Sequence, residues 1–175
     1  MIDPIIIKRL TFHEVIVPAR NGSINSEALA KPLHMLPVGA DDAWSIQFDR
    51  LPKLILRLET SAGVTGIGEF YRDHDWTRIE AVSGSLMGKD ISKLSLQKLP
   101  IPLCREYDGF ECAIWDAFAK YLGVPLHKLL GGAIRDKVYI SAWSSHRTAA
   151  DAGSVARDYQ RQGYDCIKFK TDLED

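Results

Sequence analysis

Residues 109–132 read GFECAIWDAFAKYLGVPLHKLLGG, and their pattern decides the fold. Phe110, Ala113, Ile114, Ala117, Phe118 and Tyr121 recur at i, i+3, i+4, i+7, i+8 and i+11, one stripe of a helix of period 3.6. Gly123 stands where a left-handed residue ends a helix, and Pro125 follows it. PLHKLLGG adds a short helical turn closed by Gly131 and Gly132. The spacing predicts a helix over 109–123 whose apolar stripe must lie on another element.

The surface for it is expected upstream. Residues 5–17, IIIKRLTFHEVIV, are rich in β-branched residues and read as a strand. Residues 52–60 alternate, with Leu54, Leu56 and Leu58 on one face and Ile55, Arg57 and Glu59 on the other. SAG at 61–63 is a turn and VTGIGEF at 64–70 a returning strand, so a three-stranded antiparallel sheet with a hairpin is expected. Two shorter helical pieces come next, one capped by Asp75 over 76–88 and one capped by Asp90.

Downstream the character changes. KVYISAW at 137–143 reads as a strand. Thr148, with Asp151 three residues on, resembles a capping box, and the helix it opens is expected to bury Ala152, Val155, Ala156 and Tyr159. Gly163 ends that helix and DCIKFK gives another strand. Strand, helix and strand in this order make a βαβ unit, whose strands run parallel.

Composition narrows the function classes. Of 175 residues, 46% are hydrophobic and 26% charged, as in an ordinary soluble globular protein, and a formal net charge of −1 gives no reason to expect nucleic acid or an acidic membrane. No apolar run reaches the length of a membrane span, and Met1-Ile2-Asp3-Pro4 does not open a signal peptide, so a cytoplasmic protein is expected. The three cysteines, Cys104, Cys112 and Cys166, lack CxxC spacing and read as buried free thiols. The histidines are scattered, with no pair at metal-ligand spacing.

These pieces in this order resemble the mandelate racemase and muconate lactonizing enzyme branch of the enolase superfamily. GVTGIGEF resembles the hairpin strand of its capping domain, and ECAIWDAFAKYLGVPLHKLLGG its signature helix and following turn. SAWSSH resembles its first barrel strand and GYDCIKFK its second, which carries a Lys-x-Lys motif. The resemblance implies an α+β capping domain over residues 1–132, with a lid at 18–49, followed over 133–175 by the incomplete start of a (β/α)7β barrel, a variant of the eight-stranded TIM barrel. It also implies that the metal ligands, an Asp and two Glu on later barrel strands, lie beyond Asp175. Mg2+ is then the expected cofactor, with no metal ligand within this chain.

What would the lysine pair do? Residues two apart on a strand share a face, so Cys166, Lys168 and Lys170 are expected to point inward while Ile167 and Phe169 pack under helices. The resemblance implies removal of the proton α to a carboxylate. Enolase-superfamily sites do this with a Lys or His base and one or two Mg2+. Lys170, nearest the active-site end of its strand, is the candidate base, and Lys168 is expected to neutralise the substrate carboxylate. A free lysine titrates near about 10.4, and a second ammonium close by disfavours its charge, so paired lysines are a means of supplying a neutral amine. Ser145 is a candidate substrate contact. Arg20, His34 and Trp44 of the lid segment, and Tyr71 and Arg72 after the hairpin, are further ones. Glu69 reads as structural, His146 as a loop histidine and His13 as a sheet-surface residue.

Within this branch the same enolate leads to three outcomes: loss of a β-hydroxyl, reprotonation, or ring opening and closing. A long polar-rich lid fits a hydroxylated substrate, so an acid-sugar dehydratase is expected first, acting on a small carboxylate and self-associating. A racemase or epimerase comes second and a cycloisomerase third. A different class stays open: the chain as an inactive truncated product, or as a cap module that only self-associates through exposed strand edges.

Overall fold

The computed structural model describes residues 3–18, 50–71 and 74–170. Arg20, His34, Trp44, Arg72 and nearly all of the expected lid lie outside the described residues, and Ser145 and His146 are described in their backbone only. The chain divides into two compact units, Met1–Ile16 with Pro52–Ile134, and Val17–Leu51 with Arg135–Asp175.

In the first unit the sheet is three-stranded and antiparallel, in the order β1 (Ile7–Pro18), β2 (Arg50–Thr60), β3 (Thr65–Phe70). The hairpin register runs from Leu54 opposite Phe70 to Glu59 opposite Thr65, around a turn in which Gly63 has φ 75°. Leu54, Leu56 and Leu58 are buried and Arg57 is exposed, so the alternation expected of β2 is realised. In β1 the alternation breaks. Ile5 and Ile7 are buried, Lys8 and Arg9 are both exposed, and Leu10 and Phe12 turn back against the core. At the start of β1, Ile5 and Ile7 bond instead to the segment 88–91: Ile91 N–H donates to Ile5 O at 2.9 Å and Ile7 N–H to Lys89 O at 2.9 Å.

Helix α1 (Trp76–Leu86) starts where Asp75 accepts from the amides of Thr77 and Arg78, and it buries Ile79, Val82 and Leu86. Asp90 caps a short 3-10 turn at Ile91–Lys93. Helix α2 (Tyr107–Leu122) begins two residues before the expected start and ends at Gly123 with φ 66°. Its buried stripe, Gly109, Phe110, Ala113, Ile114 and Ala117, lies on β3. The contact is backbone-close: a Cβ on Gly66 would meet Ala113 O at 1.9 Å, and one on Gly68 would meet Gly109 O at 1.9 Å. The GIG of β3 is therefore a seat for the helix. Phe70 and Phe110 close the stripe edge to face, with ring centroids 5.0 Å apart. Short α3 (Leu126–Leu129) precedes Gly131 and Gly132, both at positive φ.

The second unit holds β4 (Ala142–His146), α4 (Ala149–Arg161) and β5 (Ile167–Lys170), with β4 and β5 paired in parallel. Three expectations need correction. The strand expected over 137–143 begins only at Ala142, and Val138, Tyr139 and Ile140 are exposed. The ladder sets its length: β5 starts at Ile167, opposite Ala142. The α4 face of Ala152, Val155, Ala156 and Tyr159 is half-buried, and among the described residues the sheet formed by β4 and β5 has two strands. The cysteines are free, but Cys112 and Cys166 are exposed and Cys104 is half-buried. Cys112 lies off the apolar stripe of α2, and Cys166 precedes β5 on the side away from Ile167.

Candidate active site

Lys168 and Lys170 alternate with Ile167 and Phe169 along β5, so the two amines leave one face of the strand about 6.6 Å apart along the chain. Lys168 is exposed and Lys170 half-buried. Laterally neighbouring residues of a parallel ladder share a face, and Lys168 stands opposite Trp143, while Ile167 stands opposite the buried Ala142. The next pair is His146 with Lys170, so the register shifts by one residue between Trp143 and His146. Such a shift kinks the strand and re-aims the side chains beyond it. Ser145 lies in this stretch.

The exit of β4 is tied down from both sides. Ser144 is fully buried, and its Oγ accepts from Arg147 Nε at 2.7 Å. Tyr159 of α4 reaches Trp143 O at 3.5 Å. Neither contact was legible in the sequence, since a serine inside a strand carries no signal of a partner three residues on. Thr148 Oγ1 then accepts from Asp151 N–H at 3.3 Å and starts α4, as its spacing predicts.

Tyr71 belongs to the other unit. It stands just after β3, is 52% exposed, and carries the Arg105 guanidinium 4.7 Å above its ring. Next to Arg105, the Glu106 carboxylate is buried and accepts the amide of Asp75 at 2.8 Å. Glu69 bonds Lys53 at 2.6 Å across the hairpin surface, and His13 is exposed on β1. Among the described residues, no group of three or more His, Cys, Asp or Glu is placed to hold a metal ion, and no helix is long and apolar enough to cross a membrane.

Residues 47–131 match the family described as Mandelate racemase / muconate lactonizing enzyme, N-terminal domain. This segment is thereby similar to the N-terminal capping domain of that branch of the enolase superfamily. A probable glucarate dehydratase of Streptomyces coelicolor is 30% identical over 135 residues, which are 61% of this chain and 31% of that protein. A D-galactonate dehydratase of Ralstonia pickettii is 33% identical over 137 residues, 69% of this chain and 36% of that protein. A solved member of the enolase superfamily from Roseovarius nubinhibens, complexed with magnesium, superposes with a TM-score of 0.69 at 26% identity, over 98% of this chain and 46% of that one. The chain thus spans about a third of the length of the curated relatives it matches. The family match covers the sheet-and-helix unit from β2 to the double glycine. The structural likeness extends over the βαβ unit as well.

Proposed function

We propose that the chain is the cap and opening βαβ unit of an enzyme that removes the proton α to the carboxylate of an acid sugar and expels the β-hydroxyl. The observation that carries this reading is the Lys168–Lys170 pair on one face of a parallel strand. It occurs in a chain whose relatives are named glucarate and D-galactonate dehydratase. Residues 1–132 are the cap in this reading, and residues 133–175 open a barrel.

Lys170, nearer the C-terminal end of β5, takes the α-proton on its amine. The C–H electron pair is then left on the substrate as an enediolate. Lys168 keeps its ammonium and pairs with the carboxylate, where the negative charge grows. In dehydration that electron pair expels the β-hydroxyl, which leaves as water after taking a proton from an acid this chain does not assign. Ser145, Tyr71 and Arg72, with Arg20, His34 and Trp44, are the substrate contacts in this proposal. Magnesium enters through the solved relative. The described residues offer no set to hold it, and no step above is routed through it.

The test uses protein expressed from the complete reading frame, incubated with a panel of six-carbon sugar acids in deuterated buffer containing Mg2+. Proton NMR should show loss of the α-proton signal together with a 2-keto acid. Exchange with epimerisation and no keto acid would favour the racemase reading. No exchange with any member of the panel would defeat both.

A further inference from the structure

We propose that Ser144 and Arg147 are positioning residues for Lys170: their hydrogen bond brackets a bulge at the end of β4 and so holds the last rung of the ladder, on which the base stands. The inference rests on the reading of Lys170 as the base of an acid-sugar enzyme. All of its parts belong to the second unit, on β4, on β5 and in the turn from β4 to α4. The ladder passes from Trp143 opposite Lys168 to His146 opposite Lys170, so Ser144 and Ser145 together stand against Phe169. Two residues against one make a bulge, which leaves one of them out of the ladder and bends the strand. In an unbroken register Ser145, not His146, would face Lys170 across the ladder.

Ser144 is where the regular part of β4 stops. Its side chain is fully buried, as is that of Ala142, while Trp143 between them is 40% exposed, so the alternation holds as far as Ser144. Its Oγ accepts from Arg147 Nε at 2.7 Å, and that bond closes over the backbone of residues 145 and 146. A guanidinium donates in its own plane and in fixed directions, so the bond sets the path of the chain between its ends. Helix α4 has a cap of its own, since Thr148 Oγ1 accepts from Asp151 N–H at 3.3 Å. The two lysines therefore differ in their support. Lys168 is paired before the bulge and Lys170 after it, at the end of β5. Loosening the bracket disturbs proton removal by Lys170 and leaves Lys168 to hold the carboxylate.

Two measurements test this. In the present chain, Ser144→Ala removes the acceptor. Hydrogen exchange at the amides of His146 and Lys170 should then speed up about tenfold, while those of Trp143 and Lys168 keep their rates. Unchanged rates at the last rung, or an equal acceleration along both strands, would overturn the bracket. In protein from the complete reading frame, Ser144→Ala and Arg147→Met should each lower kcat and the rate of α-proton exchange about tenfold, with KM within about twofold of wild type. The double variant should be no worse than Arg147→Met alone, and Ser144→Thr, which keeps the hydroxyl, should retain at least about half of the wild-type kcat. A wild type that turns over while Ser144→Ala keeps its kcat, or loses it only together with a rise in KM, would overturn the positioning role. A wild type that exchanges no α-proton would instead defeat the functional reading, and with it the role assigned to Lys170, while the amide rates still decide the bracket.

Discussion

Asp116 accepts the backbone amide of Ile67 at 2.8 Å, so a side chain of α2 occupies a hydrogen-bonding position on the outer edge of β3. The same carboxylate oxygen pairs with Lys120 at 2.7 Å, and Lys120 Nζ donates to Thr65 O at 2.9 Å. The helix thus satisfies both an orphan donor and an orphan acceptor of an edge strand, which would otherwise be open to another strand. Its charged face does this while its apolar stripe packs against the same strand.

Asp116→Ala should lower stability by about 1–2 kcal/mol, the range for a charge-assisted hydrogen bond discounted for partial exposure. Asp116→Asn keeps an acceptor for Ile67 and should lose roughly half as much. Urea unfolding followed by circular dichroism measures both. Equal stability of all three proteins would mean that water replaces the carboxylate at no cost.

Gly68→Ala should be far worse than its size implies. The new methyl would overlap Gly109 O at 1.9 Å, and a backbone atom can yield only if the whole helix shifts, costing about 3 kcal/mol. Gly84 in α1 is the control, since a Cβ there meets nothing within 4 Å. Gly84→Ala should stabilise by about 0.5–1 kcal/mol through helix propensity. Thermal melts of the two variants should move in opposite directions.

These glycines mark where sequence and structure part. The alternation of Leu54, Leu56 and Leu58 and the stripe of α2 were legible, because each follows the period of one element. The reason for GIG was not, because it lies in the approach of a second backbone. The early start of α2 carries no signal in the sequence, because Glu106 makes no side-chain cap to its own helix and bonds to Asp75 instead. At the candidate site, the shared face of Lys168 and Lys170 follows from a period of two. The register shift that sets His146 opposite Lys170 depends on how two strands meet and leaves no trace in either strand.

Asp90 should make the fold acid-sensitive in a defined window. Burial by itself would raise this carboxyl, but bonds from the Ile5 amide and from the Ser92 hydroxyl and amide, with the nearby Lys93 ammonium, outweigh it and hold the group below the usual carboxylate range. A lowered folded value means stability that is fully present above the unfolded value of about 3.9 and is lost as pH falls through the folded one. Asp90→Asn should therefore be about 1 kcal/mol less stable at pH 7, with the gap closing below about pH 4. Urea midpoints from pH 7 to the acid limit would show the two curves converging. A constant gap would place the acid sensitivity elsewhere.

The lysine pair carries the last expectation. In protein from the complete reading frame, Lys170→Met should abolish turnover while leaving the fold intact. Methionine keeps the stem and its packing on β5 but removes the amine. A positioned general base is worth about 10²–10⁴-fold, and more where no other group can accept the proton. Lys168→Met should act differently. Its charge meets the substrate carboxylate before and during proton removal alike, so KM should rise together with a fall in kcat. Exchange of the substrate α-proton with deuterated solvent separates the two roles, because it reports proton removal even when no product forms. Lys168→Met should still exchange at saturating substrate, only more slowly, and Lys170→Met should not exchange at all. Wild-type exchange in Lys170→Met would remove it as the base. It would also leave the shared face of β5 as two solvated lysines on an edge strand, the commonest meaning of that spacing in a strand with no further context.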